Sequence, residues 1–110
     1  MMVKKSFDVA LIGAGPAAIY AAYELVKLEP SLKILMIEAG RDIYTRKCPI
    51  AEKLTTHCIN CKPCSIMRGF GGAGAFSDGK FNLTLQFGGW LNEYLPDQVV
   101  HDLIDYVDEI

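Results

Sequence analysis

The sequence lacks both an excess of charge and a long hydrophobic run. Its 11 basic and 13 acidic residues leave a net charge of −2, so nothing in its charge favours a nucleic acid or an anionic membrane as partner. The longest uncharged stretch, residues 9–23, is shorter than the roughly 20 residues of a membrane span, and Gly13, Gly15 and Pro16 interrupt it. We therefore expect a cytoplasmic protein of ordinary globular composition with neither a spanning helix nor an export signal.

Basic residues are absent from the end of the chain and concentrated in its middle. Residues 81–110 contain six acids and no lysine or arginine. A basic excess lies within residues 41–68 and comprises Arg41, Arg46, Lys47, Lys53, Lys62 and Arg68. Two interpretations are open, namely a solvated surface and a docking face for an anionic ligand or protein.

Hydrophobic patterning in the first 40 residues predicts a βαβ unit. Residues 7–12, apolar apart from Asp8, and the continuous apolar run 34–37 are each typical of a buried strand. Residues 16–29 carry apolar side chains at helical spacing. Pro16 suits the first helical turn, and Pro30 ends the helix. Because such crossovers join parallel strands, the fold class is α/β, a Rossmann-like unit with a parallel sheet.

The turn between the first strand and the helix carries a dinucleotide-binding fingerprint. Gly13 permits the tight turn, Gly15 lets a pyrophosphate approach the backbone, and Ala18 allows close packing of helix and strand. Glu38 follows the second strand, 20 residues after Ala18, where an acid accepts hydrogen bonds from ribose hydroxyls and repels a 2′-phosphate. This pattern predicts a dinucleotide other than NADP.

Four cysteines form a second constellation. Within the basic segment, residues 41–68, the spacing is C-x2-C-x2-C with a further Cys-Pro ten residues upstream, and the residues are Cys48, Cys58, Cys61 and Cys64. Because cytosolic thiols stay reduced, we expect metal ligands, for zinc or an iron–sulfur cluster, rather than disulfides. A redox-active dithiol and incidental thiols remain the alternatives.

Taken together, residues 9–18 and 37–40 resemble the ADP-binding start of two-dinucleotide-domain flavoproteins. The cysteine segment 58–64 and the glycine-rich segment 69–80 (GFGGAGAFSDGK) are similar to the NAD(P)/FAD-dependent oxidoreductases of bacteria and archaea called FAD-dependent dehydrogenases. The resemblance implies FAD at the nucleotide site, an oxidoreductase with a small-molecule substrate or redox partner, and cofactor contacts from the glycine-rich segment; a turn without a ligand role is the alternative. The expected cofactor-binding residues are Gly13, Gly15, Pro16, Ala17, Ala18, Glu38, Ala39, Gly71, Gly72, Gly74 and Ser77. The alternatives are an NAD-binding oxidoreductase without flavin and a cysteine-liganded metal-binding module.

The C-terminal third predicts one strand and one helix. Residues 81–87 alternate apolar and polar side chains as a half-buried strand does, and Asp97 is expected to cap a helix. That helix has an apolar face that includes Val100 and Leu103 and no stop signal at its end. We therefore expect residues 1–110 to be the N-terminal part of a larger FAD/NAD(P)-binding domain whose remainder is missing. This chain alone should bind FAD weakly, and its apolar helix face should make it self-associate.

Overall fold

A computed structural model describes residues 5–86 and 88–110 of the chain. The structure divides into two compact units, one extending to Ser77 and the other spanning Asp78–Ile110. No helix in these described ranges has the length and apolar character of a membrane span.

The first unit is built on the predicted βαβ arrangement. Strand β1 spans Val9–Ile12, helix α1 spans Pro16–Leu28 and strand β2 spans Ile34–Ile37. The two strands are parallel, with register running from Val9 opposite Ile34 to Ile12 opposite Ile37. The Gly13 N–H donates to the Ile37 carbonyl at 2.7 Å and extends the pairing into the turn. The Rossmann-like α/β prediction is confirmed.

The strands are less buried than their apolar runs predict. Along β1, Val9 and Leu11 are half-buried, whereas Ala10 is exposed and Ile12 is 78% exposed. Parallel strands become fully buried only when helices cover both faces of their sheet. Since α1 is the only α-helix among the described residues of this unit, the second face stays open and the expectation of buried strands is wrong here.

The long connection after β2 returns to the point at which it left the sheet. Short 3₁₀ turns lie at Ile43–Thr45 and Ala73–Phe76, and the chain between them is otherwise irregular. Arg41 and Gly69 form an isolated parallel bridge, and the Phe70 N–H donates to the Arg41 carbonyl at 3.0 Å. The cysteine-bearing segment is therefore a long loop whose two ends are paired with each other. This pairing places the start of the glycine-rich segment next to the strand ends.

The second unit corrects two predictions. It contains a 3₁₀ turn at Leu91–Glu93 and helix α2 at Asp97–Asp108, but its described residues contain no strand. The predicted strand at 81–87 is wrong for residues 81–86, which form coil and a turn, while Phe87 lies outside the described residues. An alternating segment forms a strand only beside a partner strand, and this unit supplies none.

The N-cap of helix α2 lies one residue earlier than the sequence suggests. Pro96 occupies the N-cap position without a side-chain cap, and Asp97 is the first helical residue, so the predicted Asp97 cap is wrong. Its apolar face is also partly covered. Val100 is only 5% exposed, and with Ile104 it lines a cavity whose other lining residues include Leu85 and Leu91, whereas Leu103 remains exposed.

Candidate nucleotide site and cysteine pocket

The turn between β1 and α1 has the backbone geometry of a phosphate-binding turn. Gly13 adopts a φ of +95°, which favours glycine, and Gly15 is the N-cap of α1. No side chain caps this helix, and Pro16 at its first position has no N–H. A Cβ built on Gly15 would meet no atom within 4 Å, so the space above its backbone is open. The helix end therefore offers the amides of Ala17 and Ala18 to an approaching anion.

Glu38 is fixed by the same turn. One of its carboxylate oxygens accepts the Ala14 N–H at 2.8 Å, and the other accepts the Gly40 N–H at 2.8 Å. These backbone donors, of which Gly40 has the larger effect and Ala14 the smaller, hold the pKa of the Glu38 carboxyl below its ordinary value and keep it ionised. Each carboxylate oxygen has a second lone pair, so the group retains acceptor capacity for a ribose hydroxyl.

A cleft of about 410 Å³ opens at the carboxyl ends of both strands. This edge is where open α/β sheets bind their ligands. The cleft is lined by Ile12, Gly13, Ile37, Glu38, Ala39 and Arg68. Its lining thus brings together the first fingerprint glycine, the acid after β2 and the residue that follows it. Arg68 adds a positive charge that sequence reasoning did not place here.

Part of the glycine-rich segment lies against the phosphate turn. The Gly71 N–H donates to the Ala14 carbonyl at 2.8 Å. Gly72 has a φ of +63°, and a Cβ built on it would lie 3.3 Å from both Gly15 Cα and Pro16 Cδ. Two of the four predicted contact residues in this segment are therefore brought to the turn. Gly74 and Ser77 lie further along, where the Ser77 N–H donates to the Gly74 carbonyl at 3.1 Å and closes a 3₁₀ turn.

The four cysteines line one small cavity of about 30 Å³, together with apolar side chains such as Ile50 and Ile59. Each cysteine is a free thiol in this structure. The cavity has room for an ion or about two water molecules and little more. Within residues 5–86 and 88–110, however, no three His, Cys, Asp or Glu side chains are close enough together to hold a metal ion. Zinc or iron–sulfur ligation by these residues stays a prediction, as does the dithiol alternative.

Backbone amides donate to two of the sulfur atoms. The Asn60 N–H donates to Cys58 Sγ at 3.4 Å. The N–H groups of Met67 and Ile66 lower the pKa of the Cys64 thiol, and the Arg46 charge contributes a smaller lowering. Thiolate, rather than thiol, is the nucleophile and the metal ligand. Backbone donors thus stabilise the thiolate form of Cys64.

Arg46 is the residue that sequence reasoning missed. It belongs to the basic segment interpreted as a solvated or docking surface, yet it is only 4% exposed and donates to four backbone carbonyls. Nothing in its sequence context marks it, because the accepting groups are main-chain atoms of residues 19 to 26 positions away. The role of such a buried arginine can be recognised only from the three-dimensional structure, in which residues 65–72 surround its side chain.

The fold and the turn define a class, the Rossmann-type modules that bind FAD or NAD through a glycine-rich βα turn. A family model, described as pyridine nucleotide-disulphide oxidoreductase, matches residues 7–89. The chain belongs to the pyridine nucleotide-disulphide oxidoreductase family, and it is a nucleotide-binding module of an oxidoreductase. No curated protein and no solved structure matches it significantly.

Proposed function

We propose that this chain carries the ADP-binding part of an FAD site in a flavin-dependent dehydrogenase that acts on a small-molecule substrate or redox partner. The observation that carries the proposal is the contact between the phosphate-binding turn after β1 and the glycine-rich segment 69–80. The Gly71 amide is bonded to Ala14 within the phosphate turn, so a second loop flanks the place where a pyrophosphate would lie. The flavin would supply the redox chemistry, and these residues bind and orient it.

The binding roles follow from charge and donor geometry. The N-terminus of α1 provides backbone N–H groups and the positive end of the helix dipole, both of which stabilise a pyrophosphate. Glu38 lies at the end of β2 as an ionised acceptor for the ribose hydroxyls of the adenosine. A negative charge at that point repels a 2′-phosphate, which favours FAD or NAD over NADP at this site.

The second loop favours FAD over a lone nicotinamide dinucleotide. The fingerprint turn and its acid are common to both cofactors, so they do not discriminate between them. The glycine-rich segment resembles that of FAD-dependent dehydrogenases, in which it passes beside the flavin cofactor. Its position against the turn in this chain supports the same arrangement, with the backbone of Gly71 and Gly72 close to the pyrophosphate. The N–H groups of these two glycines already donate to the Ala14 and Gly69 carbonyls, so the two residues would allow close approach and would not act as donors.

Cofactor identity is tested on the protein purified under native conditions. An absorption spectrum, followed by acid extraction and mass spectrometry, identifies any bound nucleotide. Calorimetric titration of the nucleotide-free protein with FAD, NAD and NADP then ranks the three ligands. We expect the order FAD, NAD, NADP in falling affinity, with FAD bound weakly by this chain alone. Tight NAD binding without flavin would instead support a nicotinamide-dependent oxidoreductase, and the absence of binding by all three would refute the proposal.

A matched pair of variants tests the ribose role. Glu38→Gln removes the charge at the strand end and should lower FAD affinity while relaxing the discrimination against NADP. Glu29→Gln is the control, because Glu29 also accepts a backbone N–H, from Ser31, but lies at the other end of α1. Equal effects of the two substitutions on FAD affinity would exclude Glu38 from the site.

A further inference from the structure

The most unusual buried group in the described part of the chain is the Arg46 guanidinium. Its Nε donates to the Ser65 carbonyl at 2.8 Å and its Nη2 to the Ile66 carbonyl at 2.7 Å. Its Nη1 donates to the Phe70 and Gly72 carbonyls at 2.7 and 2.8 Å. The guanidinium also lies 4.7 Å from the centre of the Phe76 ring. Four of its five N–H donors are thus assigned to backbone oxygens.

No carboxylate among residues 5–86 and 88–110 forms an ion pair with Arg46. Burial of a charge without a counter-charge is costly, and carbonyl dipoles compensate for it only when several converge with good geometry. Four carbonyls converge on Arg46 in this way, and they join it to the segment that supplies them.

The four carbonyls belong to two short segments. Ser65 and Ile66 follow Cys64, and Phe70 and Gly72 belong to the loop that lies against the phosphate turn. The peptide unit that joins Phe70 to Gly71 is held on both sides, since its C=O accepts from Arg46 and its N–H donates to Ala14. Arg46 and Ala14 thereby hold this peptide unit from its two sides.

The peptide unit between Gly72 and Ala73 is held by Arg46 through its carbonyl, and its N–H group is a hydrogen-bond donor. In a trans peptide the N–H points away from the C=O. The Gly72 carbonyl accepts from Arg46, so the N–H of Ala73 points away from the guanidinium, and Ala73 begins a 3₁₀ turn whose first amides have no partner within the turn. Hydrogen bonding at the carbonyl also polarises the peptide and makes its N–H a stronger donor.

We infer that Arg46 is a positioning residue, which holds the Gly69–Gly72 loop against the Gly15 turn and directs the Ala73 amide at the pyrophosphate of the bound nucleotide. The inference rests on the proposed function for its ligand. It depends on the planar, forked shape of the guanidinium, which lysine lacks, and not on charge alone.

Three variants of the full chain test this role. Arg46→Met removes charge and fork, Arg46→Lys keeps the charge without the fork, and Arg41→Met is the control because that side chain is exposed. Hydrogen exchange without nucleotide follows the Gly71 and Ala73 amides, with the amides of β1 as internal reference. We expect about tenfold faster exchange of the Gly71 amide in both Arg46 variants and no change in the control.

Nucleotide affinity is the second readout, measured with FAD and ADP under conditions where circular dichroism shows each variant to be folded. Both Arg46 variants should raise Kd about tenfold or more, which is the loss of one hydrogen bond to a charged group. A structural role alone would lower the unfolding temperature and leave the Kd of the folded protein unchanged. Recovery of wild-type Kd by Arg46→Lys would likewise refute positioning by the fork.

A variant of Gly72 approaches the same contact from the other side and covers the case in which Arg46→Met fails to fold. Gly72→Ala places a Cβ 3.3 Å from Gly15 Cα at a positive φ, and it should raise Kd by a similar factor. Combined with Arg46→Lys, it should add little, since both act on one loop. Fully additive losses would overturn the inference.

The failures of the two proposals can be distinguished. If the wild-type protein binds none of FAD, NAD and ADP, the proposed function and the nucleotide role of Arg46 are both refuted. If the Arg46 variants leave hydrogen exchange of the Gly71 amide unchanged while FAD binding is intact, only the role of Arg46 is refuted.

Discussion

The open space above Gly15 permits a substitution that separates folding from nucleotide binding. Gly15 has φ −79° and ψ 178°, an extended conformation that valine adopts without strain, and its Cβ would meet no atom within 4 Å. The fold should therefore lose only the preference of the N-cap position for glycine over valine, about 1 kcal/mol. The methyl groups of Gly15→Val would instead occupy the place where the pyrophosphate approaches the backbone.

The size of the binding loss follows from the contacts that the valine prevents. If the phosphate is displaced from one helix-terminal amide, the loss is about 1.5–3 kcal/mol, or roughly 10- to 150-fold in Kd. Titration with FAD, monitored by flavin fluorescence, gives the Kd, and urea unfolding followed by circular dichroism gives the stability. We expect a large rise in Kd from a protein with nearly unchanged unfolding.

Gly40→Ala is the contrasting variant. A Cβ at Gly40 would lie 2.6 Å from Gly69 Cα, so this change should destabilise the unit by about 1–3 kcal/mol through overpacking. Wild-type FAD affinity in a folded Gly15→Val protein would show that the turn is only a connection between strand and helix. Loss of folding in Gly15→Val but not in Gly40→Ala would refute the packing argument itself.

Three further predictions concern ionisation and metal binding. Because the pKa of Glu38 is lowered from its ordinary 4.5, its hydrogen bonds to Ala14 and Gly40 stabilise the fold above that pH, and this stabilisation is lost as the pH falls through the lowered value. The difference in unfolding free energy between wild type and Glu38→Gln, measured with urea, should therefore shrink below pH 4.5. A difference that stays constant with pH would contradict this. In the metal-free protein, iodoacetamide should alkylate Cys64 with a pH midpoint below that of an ordinary cysteine thiol, as peptide mass spectrometry can measure, and an ordinary midpoint would contradict the effect of its backbone donors. Anaerobic purification followed by zinc, iron and sulfide analysis tests the metal ligation predicted from the cysteine spacing: a stoichiometric metal would confirm it, and freely titrating thiols without zinc, iron or sulfide would favour the dithiol alternative.

Local patterns predicted the parts of the molecule that depend on neighbours in sequence. The βαβ unit, the glycine at positive φ and the acid after β2 all follow from periodicity and spacing, because a strand, a tight turn and a helix cap are local structures. The predicted strand at 81–87 is wrong for residues 81–86, because alternation of apolar and polar residues indicates a half-buried surface but does not supply the partner strand that a strand needs. Arg46 was missed for a related reason, since its acceptors are main-chain carbonyls, which carry no signature of residue type.

The bonds from Glu38 to the Ala14 and Gly40 amides also have an entropic consequence for ligand binding. A glutamate on a strand end ordinarily samples many rotamers, and a ligand that uses it must select one of them. Here folding itself has already restricted the side chain, so the ordering cost has been met before any nucleotide arrives. The acceptor for the ribose is thus preorganised, and binding there loses less conformational freedom than it would at a mobile carboxylate.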